Sequence, residues 1–169
     1  MIDRSMKNRW IALYVENTVG VLAKVSGLFS GKSYNLQSLT VGTTEDETVS
    51  RMTICVTSDD VTFEQIKKQL NRSVEVIRVV DFTDAAIHSE ELMFVKIRGC
   101  SENDRAEIER LCLPFAAKIL ESGADTVLLE SVQAESRNND WIALLQRRFP
   151  GRLEIVRGGS VAIETIGGA

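Results

Sequence analysis

The chain has 169 residues, of which 44% are hydrophobic and 26% are charged, and its formal net charge is −4. This balance is that of a folded globular protein, and the acidic charge gives no general basic field for binding nucleic acid. Because no apolar run reaches the roughly 18 residues of a membrane helix and no signal-peptide pattern opens the chain, we expect a cytoplasmic protein without a membrane partner.

The first half of the chain switches between the hydrophobic periods of strands and helices. Apolar residues on both faces of RWIALYV predict a central strand, whereas from Gly20 they follow a helical stripe. The polar, acidic segment TTEDET predicts a hairpin loop between two further strands. The predicted strands are 9–15, 34–42, 49–57 and 74–82. The first predicted helix begins at Gly20 and is ended by Gly31 and Ser33. The second runs from about Val61 to Leu70, with Asp59 or Asp60 as its N-cap. This order is that of the ferredoxin-like βαββαβ unit.

The second half repeats this order approximately, after a segment at 83–91 that has no strong period. Asn103 is the predicted cap of its first helix, Pro114 is expected to end or bend that helix, and Gly158-Gly159 predicts a hairpin between two final strands. We therefore predict an α+β fold of two tandem ferredoxin-like βαββαβ domains, the second with a strand added at its end. The predicted bounds are 8–83 for the first domain, 84–91 for a linker and 92–169 for the second domain.

A search for catalytic chemistry finds little. The single histidine, His88, falls in the predicted linker, and no serine or cysteine can be assigned a base from spacing. The cysteines are odd in number and lack CxxC spacing, and Cys55 and Cys112 fit apolar core positions. No nucleotide-binding loop or metal-ligand cluster occurs either. We expect no catalytic residue and no metal site, so an enzyme is the least favoured class.

The stretch ENTVGVLAKVSGLF, 16–29, is the exception, because a strand gives way to a helix within a few residues. The first amide groups of a helix have no internal partner and attract an anion, and a glycine at Gly20, in the predicted first turn, lets a small carboxylate approach the backbone. Asn17 then caps the helix or binds the ligand. The alternative from the residues alone is that Asn17 or Thr18 merely caps and that Gly20 relieves packing against a neighbouring strand.

A family resemblance bears on this choice. Residues 15–54, with ENTVGVLAKVSGLF, SLTVG and SRMTI, resemble the N-terminal ACT domain of the small regulatory subunit of acetohydroxyacid synthase, also called acetolactate synthase. The likeness continues through EQIKKQLNRSVEVIRVVD, ELMFVKIR, FAAKILE and IVRGGSVAIE, and so covers nearly the whole chain. The first domain is therefore identified as a member of the ACT class.

The resemblance implies a non-catalytic regulator of branched-chain amino-acid biosynthesis. Small subunits of this family activate a large catalytic subunit, which carries thiamine diphosphate, FAD and magnesium, and they confer feedback inhibition by valine or another branched-chain amino acid. No cofactor is expected in this chain. The alternative is a freestanding ACT-domain sensor that regulates another enzyme or a transcription factor, although no helix-turn-helix or basic stripe supports direct DNA binding.

The resemblance also implies where the effector binds. Two ACT domains pair side by side as a homodimer through the second strand, which is an edge strand in this fold, and the amino acid lies between them. The effector carboxylate would meet amide groups at the turn, and the Asn35 side-chain oxygen or backbone carbonyls would accept hydrogen bonds from its ammonium group. An apolar pocket would hold its side chain. The implied effector residues are Asn17, Val19, Gly20, Val21, Leu22 and Asn35.

Two positions depart from the family pattern, and one surface is assigned to the catalytic partner. Val19 stands where the family usually has a proline or a small polar residue, and Ser33 replaces a common glycine. Both changes bear on effector identity and affinity rather than on the fold. The expected contacts to the catalytic subunit are in the acidic hairpin and its flank, namely Thr44, Glu45, Asp46 and Arg51.

Overall fold

The computed structural model describes residues 6–30 and 34–167, with Asn35 described by its backbone alone. The predicted end of the first helix at Gly31 and Ser33 lies outside the described residues. The chain divides into two compact units. The first comprises the described residues up to His88 together with those from Ala162 onwards, and the second comprises Ser89–Val161.

The first unit has the predicted βαββαβ order. Its strands form an antiparallel sheet in the order β2-β3-β1-β4, so that β2 and β4 are the edges. The α2 helix begins after the N-cap Asp59, whose carboxylate accepts a hydrogen bond from the Thr62 amide at 2.7 Å. The elements are β1 (Lys7–Glu16), α1 (Val21–Ser30), β2 (Asn35–Thr43), β3 (Val49–Ser58), α2 (Asp60–Leu70) and β4 (Val76–Asp81).

Side chains along β1 and β3 point alternately to the two faces of the sheet, and those on one face form the core of this unit. The inward residues of the strands pack against the apolar stripes of the helices, as the hydrophobic periods predict. Its buried cluster contains Ile11, Leu13, Val15, Val21, Val25, Phe29, Met52, Ile54, Val56, Phe63, Ile66 and Leu70. A smaller cluster contains Ala12, Phe82 and Ala162. The last of these comes from the C-terminal residues of this unit, which the sequence placed in the other domain.

The second unit is also βαββαβ, with strand order β6-β7-β5-β8, and the predicted fold class is confirmed. The α3 helix passes at Leu113–Phe115 into a short 3-10 turn that contains Pro114, as predicted. The core includes Met93, Val95, Ile97, Ile108, Trp141, Leu145 and Phe149. The elements are β5 (Ile87–Arg98), α3 (Glu102–Cys112), β6 (Lys118–Ser122), β7 (Thr126–Gln133), α4 (Glu135–Arg148) and β8 (Leu153–Glu164).

The predicted linker at 84–91 is wrong for residues 87–91, which belong to β5. Burial alternates along this segment, but the position that faces inward most completely is the carboxylate Glu91 rather than an apolar residue. The Arg157 guanidinium and the Asn138 amide satisfy that carboxylate at 2.6 Å and 3.0 Å. The hydrophobic pattern therefore could not reveal the strand, because its inward residue is polar.

Two further details of the second unit differ from the prediction. Gly158-Gly159 is not a hairpin, because Leu153–Glu164 is one strand, and the structure shows no further strand between that strand and residue 167. A Cβ at Gly158 would lie 3.3 Å from the Leu92 carbonyl oxygen, so the missing side chain permits close approach of neighbouring strands. The cap of α3 is Ser101 and not Asn103. Ser101 and Asp104 form a capping box, which satisfies both the Asp104 amide and the Ser101 amide.

Candidate functional site: the strand-to-helix turn of the first unit

The effector turn, defined as residues 17–23, comprises the connection from β1 to α1 and the first residues of that helix. Gly20 precedes the helix rather than lying in its first turn, and its φ of +90° is a conformation that residues with a side chain rarely adopt. A Cβ at this position would meet nothing within 4 Å. Backbone conformation therefore explains the glycine, and relief of packing does not.

The turn presents free hydrogen-bond donors to solvent. The Gly20 carbonyl accepts the first helical bond from the Lys24 amide at 3.0 Å. Within the parts of the chain that the structure describes, the amides of Gly20, Leu22 and Ala23 have no hydrogen-bond acceptor. These amides lie at the positive end of a helix dipole, which favours an anion such as a carboxylate.

The apolar side chains of the turn divide into two groups. Val21 is buried in the core, and its backbone amide donates to the Thr18 carbonyl at 3.4 Å. Val19 is fully exposed and Leu22 is exposed, and both flank the free amides. An exposed valine next to unpaired donors offers an amphiphilic ligand both a polar and an apolar contact.

Asn17 does not cap α1, because its side chain is directed to the loop between β2 and β3. Its Nδ2 donates to the Glu47 carbonyl at 2.8 Å, and its Oδ1 accepts from the Ser50 hydroxyl at 3.0 Å. Its backbone amide donates to the Thr48 carbonyl at 2.7 Å. Three hydrogen bonds therefore join one residue of the effector turn to the loop and its flank.

Asn35 is the second asparagine among the predicted effector residues. It is the first residue of β2 and lies opposite Thr57 of β3. Its side chain is outside the described part of the chain. The strand order confirms that β2 is an edge strand, as the dimer prediction requires. Approach of Asn35 to Gly20 of a second copy stays a prediction.

The acidic hairpin, defined as residues 44–48, is held by its own side chains. The Asp46 carboxylate accepts from the Thr48 hydroxyl at 2.6 Å and from the Thr48 amide at 2.9 Å, and these bonds hold the pKa of Asp46 below its usual range. The Thr44 hydroxyl donates to the Asp46 carbonyl at 3.1 Å. Glu45 and Glu47 are exposed. The hairpin is therefore an ordered, negatively charged loop.

Arg51, which the sequence grouped with this hairpin, is oriented differently. Its guanidinium donates to the Ala162 carbonyl and to the Thr53 hydroxyl, and lies 5.7 Å from the centre of the Tyr14 ring. Arg51 therefore lies half-buried on the sheet.

The described residues offer little for catalysis or metal binding. They contain no group of three or more metal-ligating side chains. Burial raises the pKa of the Cys112 thiol to about 11, which keeps it protonated and unreactive. His88 is exposed, and its side chain has no hydrogen-bond or ion-pair partner among residues 6–30 and 34–167. No helix in these ranges has the length and apolar character needed to cross a bilayer.

Comparison with known proteins agrees with this architecture. The family model for an AHAS small subunit-like ACT domain matches residues 11–78, and the model for the small subunit of acetolactate synthase matches residues 90–166. A probable acetolactate synthase small subunit of Archaeoglobus fulgidus is 40% identical over 153 residues, which are 90% of this chain and 94% of the relative. The chain belongs to the family of acetolactate synthase small subunits.

Other small subunits extend the comparison. The acetolactate synthase small subunit of Bacillus subtilis is 36% identical over 156 residues, covering 91% of this chain and 88% of that protein. The crystal structure of the small subunit from Thermotoga maritima matches with a TM-score of 0.84 at 32% identity, covering 94% of this chain and 98% of that one. The resemblance drawn from the sequence is therefore confirmed at the level of the family and the fold.

Sequence reasoning missed the link between the effector turn and the acidic hairpin. Two of the three partners of Asn17 are backbone carbonyls, which carry no residue-specific signal. The third is the hydroxyl of Ser50, and a serine in a strand does not indicate a partner 33 residues away in the sequence. An asparagine at a helix start has a ready local interpretation as a cap, and that interpretation hid the long-range one.

Proposed function

We propose that this chain is the regulatory subunit of acetolactate synthase, which activates the catalytic subunit and makes it subject to feedback inhibition by valine. The observation that carries the proposal is the effector turn, where free amides and exposed apolar side chains occur together on a small-subunit fold. The pathway served is branched-chain amino-acid biosynthesis, and the chain has no catalytic role of its own.

The chemistry of the turn suits an apolar α-amino acid. Its carboxylate accepts hydrogen bonds from the free amides of Gly20 and Leu22, and no Cβ obstructs its approach to Gly20. Its aliphatic side chain packs on Leu22 and Val19, which are exposed in the isolated chain. Its ammonium needs acceptors, and we assign this role to Asn35 from a second copy paired through β2.

The catalytic partner is the large subunit, which we expect to hold thiamine diphosphate, FAD and magnesium. This chain is proposed to contact it through the acidic hairpin, with Thr44, Glu45 and Asp46 at the contact. An ordered acidic loop fits a basic surface on the partner. Because Arg51 is engaged on the sheet, it is proposed to support the hairpin's flank and not to reach the partner itself.

A substitution at Gly20 tests the effector site in the mixed enzyme. Gly20→Asp places a carboxylate where the effector carboxylate is proposed to bind, so we expect valine inhibition to be lost while activation of the large subunit persists. Gly20→Asn, which tolerates a positive φ and carries no charge, should lose less sensitivity. Gly27→Asp on α1, where a side chain also meets open space, is the matched control and should leave inhibition intact.

The outcomes separate the proposal from its rivals. If Gly20→Asp remains fully inhibited by valine, the effector site lies elsewhere. If the chain binds valine in calorimetry but neither co-purifies with the large subunit nor activates it, the chain is a freestanding sensor. Conversion of pyruvate to acetolactate by the chain alone would overturn the non-catalytic assignment.

A further inference from the structure

The effector turn and the acidic hairpin were assigned separate roles, ligand binding and partner contact, but one residue holds them together. Asn17 makes three hydrogen bonds to 47–50, at 2.7, 2.8 and 3.0 Å. We propose that Asn17 and Ser50 form the link through which effector occupancy at the turn sets the position of the hairpin and hence the state of the catalytic subunit. This inference rests on the proposed function.

The geometry gives the hairpin little freedom to move independently of the turn. Asn17 donates to two successive carbonyls, those of Glu47 and Thr48, with its side chain and its backbone. Displacement of the turn therefore breaks both bonds or carries the hairpin with it. Asp46 and Thr48 keep the loop ordered, so a movement at its base is transmitted to its tip.

Ser50 anchors the link to the sheet. Ser50 is buried near the start of β3, opposite Val15, and its hydroxyl donates to the Asn17 Oδ1. The Asn17 amide is thus fixed from one side by a core strand and from the other by the loop. A fixed amide is an effective transmitter because it has few alternative orientations.

Ligand binding acts on the same Asn17 amide that holds the hairpin. Both ends of the Asn17 amide already have one partner in or beside the hairpin when no effector is bound. Asn17 can bind an effector through the second Nδ2 hydrogen or the second Oδ1 lone pair, and a ligand that reorients the amide to do so strains its bonds to Glu47 and Ser50. An effector whose affinity differs between the two arrangements shifts the population of hairpin positions, which is the requirement for allosteric coupling.

The test removes the link at Ser50, which is not one of the proposed effector residues. Ser50→Ala deletes the hydroxyl that orients Asn17 and leaves the turn's own residues unchanged. Ser131→Ala is the matched control, because its buried hydroxyl also donates to an asparagine, Asn138 Oδ1, at 2.8 Å, but in the second unit. Ser50→Thr restores a hydroxyl and should restore the behaviour of the unmodified chain.

Three measurements are made on each protein: calorimetry with valine, maximal inhibition of the mixed enzyme at saturating valine, and hydrogen exchange of the amides at 44–49 with and without valine. For Ser50→Ala we expect valine affinity within about threefold of the unmodified chain. We expect the plateau of inhibition to fall by about half or more and the valine-dependent change in hairpin exchange to be lost. Ser131→Ala should match the unmodified chain in all three.

Several results would overturn the link. An unchanged plateau and unchanged hairpin exchange in Ser50→Ala would show that the hairpin does not depend on it. A weaker affinity with the same plateau would make Asn17 a ligand contact alone. Equal losses in Ser50→Ala and Ser131→Ala would indicate a general loss of stability rather than a loss of the link. Failure of the unmodified chain to bind valine would instead contradict the proposed effector, and this is seen before any variant is made.

Discussion

Gly20 is the residue whose type is most directly explained by the backbone. Its φ of +90° costs a residue with a Cβ about 1 kcal/mol or more, although the space around it is open. Gly27 also has open space but lies inside α1, where alanine is favoured over glycine by about 1 kcal/mol.

Replacement by alanine is expected to change the free energy of unfolding in opposite directions at Gly20 and Gly27. Gly20→Ala should lower the free energy of unfolding by about 1 kcal/mol, and Gly27→Ala should leave it unchanged or raise it by up to about 1 kcal/mol. Urea unfolding followed by circular dichroism measures both. A stabilising Gly20→Ala would mean that the turn does not hold a positive φ in solution.

Asp104 is the residue with the clearest pH signature. The Arg152 guanidinium and the capping-box bonds to Ser101 lower its pKa from 3.8 to about 2. Because the pKa in the folded state lies below the unfolded value, its stabilising contribution is complete above about pH 4 and is lost as the pH falls through about 2.

Asp104→Asn should therefore lower the melting temperature at pH 5, and the difference between the two proteins should shrink as the pH falls through about 2. Thermal unfolding at intervals between these pH values gives the difference curve, in which the other carboxylates cancel. Glu102→Gln, a change in the same helical turn at an almost fully exposed side chain, is the control and should give no such curve. A constant difference across the pH range would contradict the assignment.

Among the elements, β5 and β8 are joined by a charge pair that sequence patterns did not reveal. Glu91 is buried, and burial alone would raise its pKa. The hydrogen bonds from Arg157 and Asn138 outweigh that effect and hold the pKa below its usual range. Removal of Arg157 would therefore leave a buried carboxylate without its cation, which is costlier than the loss of an exposed ion pair.

Arg157→Leu is expected to destabilise the second unit by about 2 kcal/mol, less than for a fully enclosed pair because Arg157 is itself about one-third exposed. Arg147→Leu is the control, since its Nε donates only to the Ala143 carbonyl within α4. Denaturant unfolding should show a small change for Arg147→Leu. Equal stability of the two variants would mean that Glu91 is solvated or protonated.

At the scale of the whole molecule, the open question is which sheet edge pairs with a second copy. The first sheet has two edges, β2 and β4, and each carries an exposed apolar residue, Val41 and Ile77. The dimer proposed here uses β2, because that edge begins at Asn35. A charged residue on a paired edge disfavours association.

Val41→Glu is therefore expected to shift the chain from dimer to monomer, and Ile77→Glu to leave the dimer intact. Sedimentation equilibrium over a range of concentrations measures the change, and circular dichroism checks that both variants fold. If Ile77→Glu dissociates the dimer and Val41→Glu does not, the partner edge is β4. If the unmodified chain is a monomer at all concentrations, the shared effector site is wrong.

The sequence by itself determined the order of the elements, the apolar faces of the helices and the family. Hydrophobic period, capping by Asp59 and turn chemistry are local, so residues within one or two turns of each other suffice to reveal them. The predicted edge position of β2 also follows from the βαββαβ order alone.

Only the tertiary structure decided where the polar residues of these elements find their partners. Glu91 faces inward because Arg157, 66 residues away, neutralises it, and Gly158 is needed because the Leu92 carbonyl approaches closely. Asn17 is joined to a carbonyl 30 residues away rather than to its own helix. Such contacts leave no periodic trace, because a backbone carbonyl is the same group in every residue and distance along the chain does not fix distance in space.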